Sequence, residues 1–156
     1  MKNLEIIEKV KRFEKLKKEV FSTEVAKKVC RMPYRRFSDW DRKNILPHYK
    51  RETIENWRTF SFYDLLIIKI VSLLRDVGIP THKIKKIFDW LNTKDEIESA
   101  VEQASSNNVY VVTNLSDAHY TIGGNDFRDI MESEGNLMLT FKLNPILNEL
   151  LKDLKI

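Results

Sequence analysis

Cysteine, glycine and proline are scarce: the 156 residues contain one Cys and four each of Gly and Pro. The single cysteine, Cys30, excludes a disulfide within the chain and a metal site made only of cysteines. Few glycines and prolines argue against long loops and β-solenoids. No run approaches the roughly 20 apolar residues of a membrane helix. The N-terminal residues mix Lys with Glu and lack the apolar segment of a signal peptide, so we expect a cytoplasmic protein.

Sequence patterns of catalysis and of metal binding are also missing. The three histidines, His48, His82 and His119, are scattered, and none has the spacing of a metal-ligand pair. There is no phosphate-binding glycine loop, nucleophile elbow or paired-carboxylate motif. We therefore expect no enzyme activity, no catalytic residue, no metal and no cofactor.

Charge is present in quantity but is unevenly distributed. Residues 1–94 contain 23 Lys/Arg and 12 Asp/Glu, a balance of +11, and residues 95–156 contain 4 Lys/Arg and 11 Asp/Glu, a balance of −7. A basic front half favours contact with a polyanion. An acidic rear half would be repelled by the same polyanion, so it favours contact with a protein or a small ligand.

The first half of the chain has helical periodicity. Residues 3–20 predict an amphipathic helix, and Ser22 is a suitable N-cap for a second helix that ends near Cys30. Pro33 is suited to a position near the start of a third helix over residues 34–42, in which Phe37 and Trp40 share one face. Two short helices about a tight turn are typical of a helix-turn-helix.

The rest of the chain changes from helix to strand. Residues 47–60 predict a polar hairpin-like loop, or wing. Ser61 and Asp64 form a capping-box pattern for a helix that Gly78 ends, and Thr81 is expected to cap the next. A short helix follows over 95–104. The pattern then predicts strands at 109–113, 119–122 and 137–143, and Asn144 with Pro145 is expected to open a final helix.

Residues 21–91 resemble the MerR family of winged-helix regulators, and four blocks carry the resemblance: FSTEVA (21–26), RRFSDWDRKNIL (35–46), WRTFSFYDL (57–65) and LLRDVGIPTHKI (73–84). They cover a little under half of the chain. The sequence departs from the family at Ser38 and Asp39, which replace groups that usually touch DNA. The family's long dimerising coiled coil is also missing, and none of the cysteines that metal-sensing members use after the winged helix is present.

The resemblance implies a mainly α fold: a winged helix-turn-helix with an N-terminal helix and a small α/β C-terminal appendage. We divide the chain into an amphipathic helix (1–20), a DNA-binding domain (21–92) and an acidic α/β region (93–156). The appendage is expected to bind a partner or effector, or to support dimerisation. The protein would be bacterial and cytoplasmic, and associated with the nucleoid when bound to DNA.

Duplex DNA is the expected partner, with the helix over 34–42 in the major groove and the wing on the backbone. The candidate DNA contacts are Tyr34, Arg35, Arg36, Ser38, Asp39, Arg42, Lys50, Arg51 and Arg58. An aspartate facing phosphate would weaken binding unless it accepts from a cytosine amino group or pairs with a neighbouring Arg.

We expect a homodimer on a two-fold operator, because one module of this size offers limited specific contact. The apolar faces of helix 3–20, of the tail strands and of helix 145–154 are the candidate interfaces. Two alternatives stay open. One is a protein-interaction module, such as an antitoxin that binds its partner through the acidic C-terminal region. The other is an architectural factor that bends DNA with little base discrimination.

Overall fold

A computed structural model of the chain describes residues 8, 11–12, 14–43, 59–91, 96–115, 118–122, 128–129, 132 and 138–156. These residues form a mainly helical fold with two small antiparallel sheets. Residues 14–18 are helical and are called the N-terminal helical segment. The other main helices are α1 (Thr23–Val29), α2 (Tyr34–Arg42), α3 (Phe62–Asp76), α4 (Thr81–Leu91), α5 (Glu96–Ala104) and α6 (Leu143–Asp153). The strands are β1 (Val20–Ser22), β2 (Thr59–Ser61), β3 (Tyr110–Thr113), β4 (Ala118–Thr121) and β5 (Leu139–Lys142).

The helix boundaries follow the capping residues identified in the sequence. The Ser22 side chain accepts a hydrogen bond from the Val25 backbone and begins α1. Ser61 and Asp64 form a reciprocal capping box at α3, with distances of 2.8 and 3.1 Å. Gly78 follows α3 with φ +95°, a left-handed conformation that side-chain-bearing residues rarely adopt. These three predictions are confirmed.

The two sheets tie together segments that are distant in sequence. Strands β1 and β2 pair antiparallel with Phe21 opposite Phe60, which holds the segment that precedes α1 against the segment that precedes α3. In the second sheet β3 is central, with β4 on one side and β5 on the other, both antiparallel. The three predicted C-terminal strands are therefore confirmed, with ends that differ by a few residues.

One hydrophobic core connects the first and the last described helices. Helix α3 lies at its centre, since ten of its fifteen residues are buried. Leu16 of the N-terminal helical segment, Ile84 and Ile87 of α4, Val101 of α5 and Leu150 of α6 belong to the same buried cluster. The C-terminal region thus shares a core with the region that precedes it.

Three local expectations differ from the structure. Val20 lies in β1 rather than in the first helix and is 66% exposed. Thr81 is the first residue of α4 rather than the residue before it, and the Pro80 carbonyl accepts from the Ile84 backbone at 3.1 Å. The last helix begins at Leu143, one residue before the expected Asn144.

Asn144 bridges three segments instead of opening the last helix. Its side-chain oxygen accepts from the Val109 backbone at 2.8 Å, and its amide donates to the carbonyls of Ala104 and Asn107 at 3.1 and 2.9 Å. This one side chain satisfies backbone groups at the end of α5 and at the approach to β3.

The expected apolar dimer faces are largely used inside the chain. Leu143, Leu147 and Leu150 of α6 are at most 6% exposed, and Leu16 is 2% exposed. Val111 of β3 is buried in the same core. These residues are therefore not available to an intermolecular interface, which corrects the expectation for the apolar faces of α6 and of β3. Of the apolar stripe expected for helix 3–20, Leu4, Ile7, Val10 and Phe13 lie outside the described residues. Within the described residues, no helix combines the length and apolar character needed to cross a bilayer.

Candidate nucleic-acid interface

Helices α1 and α2 are joined by a four-residue turn of defined geometry. Cys30 closes α1 with its backbone N–H on the Ala26 carbonyl, and Arg31 takes a positive φ of +50°. Met32 is 4% exposed and anchors the turn in the core. Arg31 thus occupies the left-handed region in this turn, where a Gly would be less strained.

Apolar contacts fix which face of α2 is turned outward. Phe37 and Trp40 are 4% and 3% exposed, as the sequence predicts. The Phe37 ring packs edge-on against Phe60 of β2, with ring centroids 5.6 Å apart. Burial of two large aromatic side chains on one side of a nine-residue helix leaves the opposite side to solvent.

The solvent face of α2 carries most of the candidate contact residues. Arg35, Ser38 and Arg42 are exposed, and Tyr34 is 69% exposed. Within the described part of the chain, no carboxylate contacts the Arg35 guanidinium. The Lys27 ammonium of α1 lies 4.8 Å from the centre of the Tyr34 ring and restricts its position. These side chains are therefore available to a ligand in solution.

Arg36 occupies a different position from Arg35. Its guanidinium donates to the Asp76 carboxylate at 3.0 Å and lies 6.0 Å from the centre of the Trp40 ring. Asp76 is the last residue of α3, so this pair connects α2 to the central helix. The sequence assigned Arg36 to ligand contact, whereas its contacts in the folded chain are those of a residue that orients α2.

Asp39 is held between two cations of its own helix and its C-cap. Arg42 donates to one carboxylate oxygen at 2.8 Å, and the Lys43 ammonium lies 2.9 Å from the other. These hydrogen bonds, from Lys43 first and Arg42 second, lower the pKa of the Asp39 carboxyl below its usual value. The carboxylate is therefore ionised at neutral pH, and its pairing with a neighbouring Arg is one of the two arrangements that the sequence left open.

A groove of about 1020 Å³ runs along this face of α2. Its charged lining among the described residues, here called the cationic face, consists of Arg35, Arg36, Asp39, Arg42, Lys43 and Arg75. This lining has five cations and one carboxylate, and with the Asp76 carboxylate that pairs with Arg36 the region still has a positive balance. Tyr34, Ser38 and Thr81 also line it.

Six of the nine predicted contact residues therefore lie together, and they are Tyr34, Arg35, Arg36, Ser38, Asp39 and Arg42. The other three, Lys50, Arg51 and Arg58, lie outside the described residues. Sequence reasoning missed Lys43 and Arg75. The spacing of Lys43 four residues after Asp39 on a helix was a usable signal. Nothing in the sequence places Arg75, at the far end of α3, beside α2.

Cys30 has the environment of a structural thiol. It is 5% exposed, and its sulfur donates to the Leu65 carbonyl at 3.5 Å. Burial raises the pKa of the Cys30 thiol to about 12, against a smaller lowering by Lys69. A thiol that stays protonated is a poor nucleophile and a poor metal ligand. Across the described ranges, no group of three or more His, Cys, Asp and Glu side chains could hold a metal ion.

The sequence was compared with known proteins. No protein-family model matches it, and no curated protein is similar to it. The resemblance to the MerR family is therefore a prediction that rests on the four blocks of residues.

Proposed function

We propose that the protein binds duplex DNA through α2 and the cationic face and acts as a transcriptional regulator. The observation that carries the proposal is the division of α2 into a buried aromatic side and an exposed side with Tyr34, Arg35, Ser38 and Arg42. An α-helix with such a polar, cationic side fits the major groove of B-DNA, which is about 12 Å wide. Arg is the commonest reader of guanine there.

The connection between α1 and α2 supports a helix-turn-helix as the binding unit. The two helices are short and follow each other through a tight turn, and the second carries the exposed cations. Strands β1 and β2 flank the unit. A wing would be supplied by the segment that precedes β2, where the sequence predicts Lys50, Arg51 and Arg58 as phosphate contacts. The architecture so proposed is a winged helix-turn-helix of the MerR type.

Arg75 and Lys43 extend the proposed contact surface beyond the recognition helix. Arg75 comes from the last turn of α3, and Lys43 caps α2. Additional cations that line the groove beside a recognition helix suit the phosphates that border the major groove. They would position the helix, and the side chains between them would contact base edges.

The support for a protein-interaction role of the acidic C-terminal region is less direct than the support for duplex binding by α2. Glu149 of α6 pairs with Arg31 at 2.9 Å and with Lys69 at 3.4 Å, and Lys17 pairs with Glu98 at 3.7 Å. Part of the opposite charge of the two halves is therefore compensated within the chain. We retain a protein partner for this region as the alternative to be tested and place it second.

A duplex-binding titration at two or more salt concentrations tests the proposal. The intact chain should bind with an affinity that falls steeply as salt rises, because bound Lys and Arg release counterions. Arg35→Ala should lower the affinity about 10-fold and reduce the magnitude of the salt slope by about 1.

Arg31→Ala is the matched control. It removes the same charge, but Arg31 points to Glu149 on α6 rather than into the groove. Its effect on affinity should be small. No binding to any duplex at low salt by the folded protein would contradict the proposal, and a stable complex with a protein through residues 93–156 would then favour the alternative.

A further inference from the structure

One negative charge lies among the cations of the cationic face. The Asp39 side chain is 33% exposed and lies on the groove-lining part of α2, between Arg42 and Lys43. A surface selected only for affinity to phosphate would exclude such a group, because a carboxylate repels the backbone of DNA. The position of Asp39 beside exposed cations therefore indicates a role other than the attraction of phosphate.

We propose that Asp39 is the residue through which this surface selects a base sequence, by accepting a hydrogen bond from the N4 amino group of a cytosine in the major groove. The inference rests on the proposed duplex-binding function and specifies what that site reads. A carboxylate has about four acceptor positions on its two oxygens. Arg42 and Lys43 use one on each oxygen, which leaves a position on each for a base.

The chemistry of the base edges favours cytosine over adenine. An ionised carboxylate only accepts hydrogen bonds, and both cytosine N4 and adenine N6 donate in the major groove. Adenine presents its N7 acceptor directly beside N6, and that lone pair repels a carboxylate oxygen. Guanine and thymine offer acceptors in the same region, together with the thymine methyl group. The amino group of cytosine has an acceptor on one side only, O6 of the paired guanine, whereas adenine N6 lies between its own N7 and O4 of the paired thymine. Cytosine therefore sets fewer acceptors against the carboxylate than adenine does.

Asp39 also weakens binding to unrelated duplexes. Its two ion pairs hold Arg42 and Lys43 toward the carboxylate, so both cations must share their charge before they neutralise a phosphate. On the matching sequence the cytosine amino group offsets this loss. On a random sequence nothing does, so the ratio of specific to non-specific affinity rises.

The test is selection from a randomised duplex library, followed by titration of the selected and random duplexes at several salt concentrations. The intact wild-type chain is compared with Asp39→Asn and Asp39→Ala. Asp41→Asn is the control, since it removes the same charge from the same helix at a residue that does not line the groove. Circular dichroism establishes that each variant is folded.

We expect the wild type and Asp41→Asn to select a cytosine at one position. Asp39→Asn should change that preference to adenine, to which Asn donates and from which it accepts. Asp39→Ala, a good helix former, should have no preference there. The preference for cytosine at this position should fall about 10-fold in both variants. Both should bind the random duplex roughly 5-fold more tightly at about 0.1 M salt, with a salt slope steeper by about 0.9.

Two results overturn the inference, and they differ in what they leave standing. If the wild type binds duplex but the folded Asp39 variants select the same sequence with the same salt slope, Asp39 does not select the base, and the duplex-binding function stands. If the folded wild type binds no duplex at low salt, the inference and the proposed function both fail.

Discussion

At the scale of single residues, Tyr63 has a polar hydroxyl group that folding buries. Its side chain is 7% exposed, and no group in the described part of the chain is hydrogen-bonded to its hydroxyl. Burial raises the pKa of Tyr63 to about 12, with smaller contributions from Glu98 and Glu102. A buried hydroxyl that has lost its water partners destabilises the folded state.

Tyr63→Phe should therefore stabilise the protein. The substitution keeps the ring, which packs edge-on against Phe62 with centroids 5.6 Å apart, and removes only the hydroxyl. We expect a gain of about 1 kcal/mol in the free energy of unfolding, measured by urea denaturation. A loss of stability would mean that the hydroxyl makes a favourable contact.

The stability of Tyr63→Phe should also differ from that of the wild type in its dependence on pH. The folded-state pKa of Tyr63 lies above its ordinary value of 10, so the folded state binds the proton more tightly than the unfolded chain does. Its contribution to stability is present below pH 10 and is lost as the pH rises toward 12. Between those values, unfolding of Tyr63→Phe should depend less on pH than unfolding of the wild type.

At the scale of elements, the orientation of α2 depends on contacts from several directions. Phe60 of β2 packs on Phe37, Asp76 of α3 pairs with Arg36, and Lys27 of α1 lies over Tyr34. The proposed function requires that the exposed side of α2 be presented at a fixed angle. Under that proposal these contacts should affect binding although they lie beside or behind the proposed interface.

Arg36→Ala separates positioning from direct contact. Because Arg36 is paired with Asp76 and lies by Trp40, we expect a loss of about 0.5–1 kcal/mol in unfolding free energy. The affinity for duplex should fall while the salt slope stays that of the wild type. In Arg35→Ala, on the same helix, the slope should become shallower.

A double-mutant cycle completes this test. Asp76→Ala, alone and combined with Arg36→Ala, should give a coupling energy of similar size in urea denaturation. A shallower salt slope in Arg36→Ala would instead assign Arg36 to phosphate contact, as the sequence predicted.

At the scale of the whole molecule, the C-terminal helix supports the helices that carry the cationic face. The Lys69 side chain is 11% exposed and lies 3.4 Å from Glu149 and 3.8 Å from Asp153 of α6, while it donates to the Val29 carbonyl of α1 at 3.2 Å. Three of the four leucines of α6, Leu143, Leu147 and Leu150, are buried in the core around α3. Ion pairs and apolar packing thus both connect α6 to α3.

A chain limited to residues 1–92 should therefore fail to fold cooperatively. Burial of the three buried leucines of α6, Leu143, Leu147 and Leu150, stabilises the fold by about 6 kcal/mol, a value comparable with the whole stability of a small domain. Thermal unfolding followed by circular dichroism measures the outcome. A sharp transition with retained duplex affinity would instead establish that residues 1–92 fold without residues 93–156, in agreement with the boundary that the sequence predicted.

Leu147→Ala in the intact chain examines the same packing without truncation. Leu147 is 6% exposed, so its loss should lower the unfolding free energy by about 2–5 kcal/mol. A loss below about 1 kcal/mol would show that α6 contributes little to the core.

The sequence by itself determined the local features. Ser22, the Ser61–Asp64 box and Gly78 predicted the ends of helices because caps and left-handed residues act within one turn. The spacing of Phe37 and Trp40 likewise predicted the buried side of α2, and hence six residues of the candidate interface.

Only the tertiary structure decided which distant residues meet. Arg75 in the groove along α2, Arg36 on Asp76 and Asn144 between α5 and β3 depend on how α3 and α6 pack, and no local pattern encodes such placements. Val20 shows the same limit. It continues the period of the first helix, yet it lies in β1 because pairing with β2 supplies backbone hydrogen bonds that are formed only when residues 20–22 and 59–61 come together.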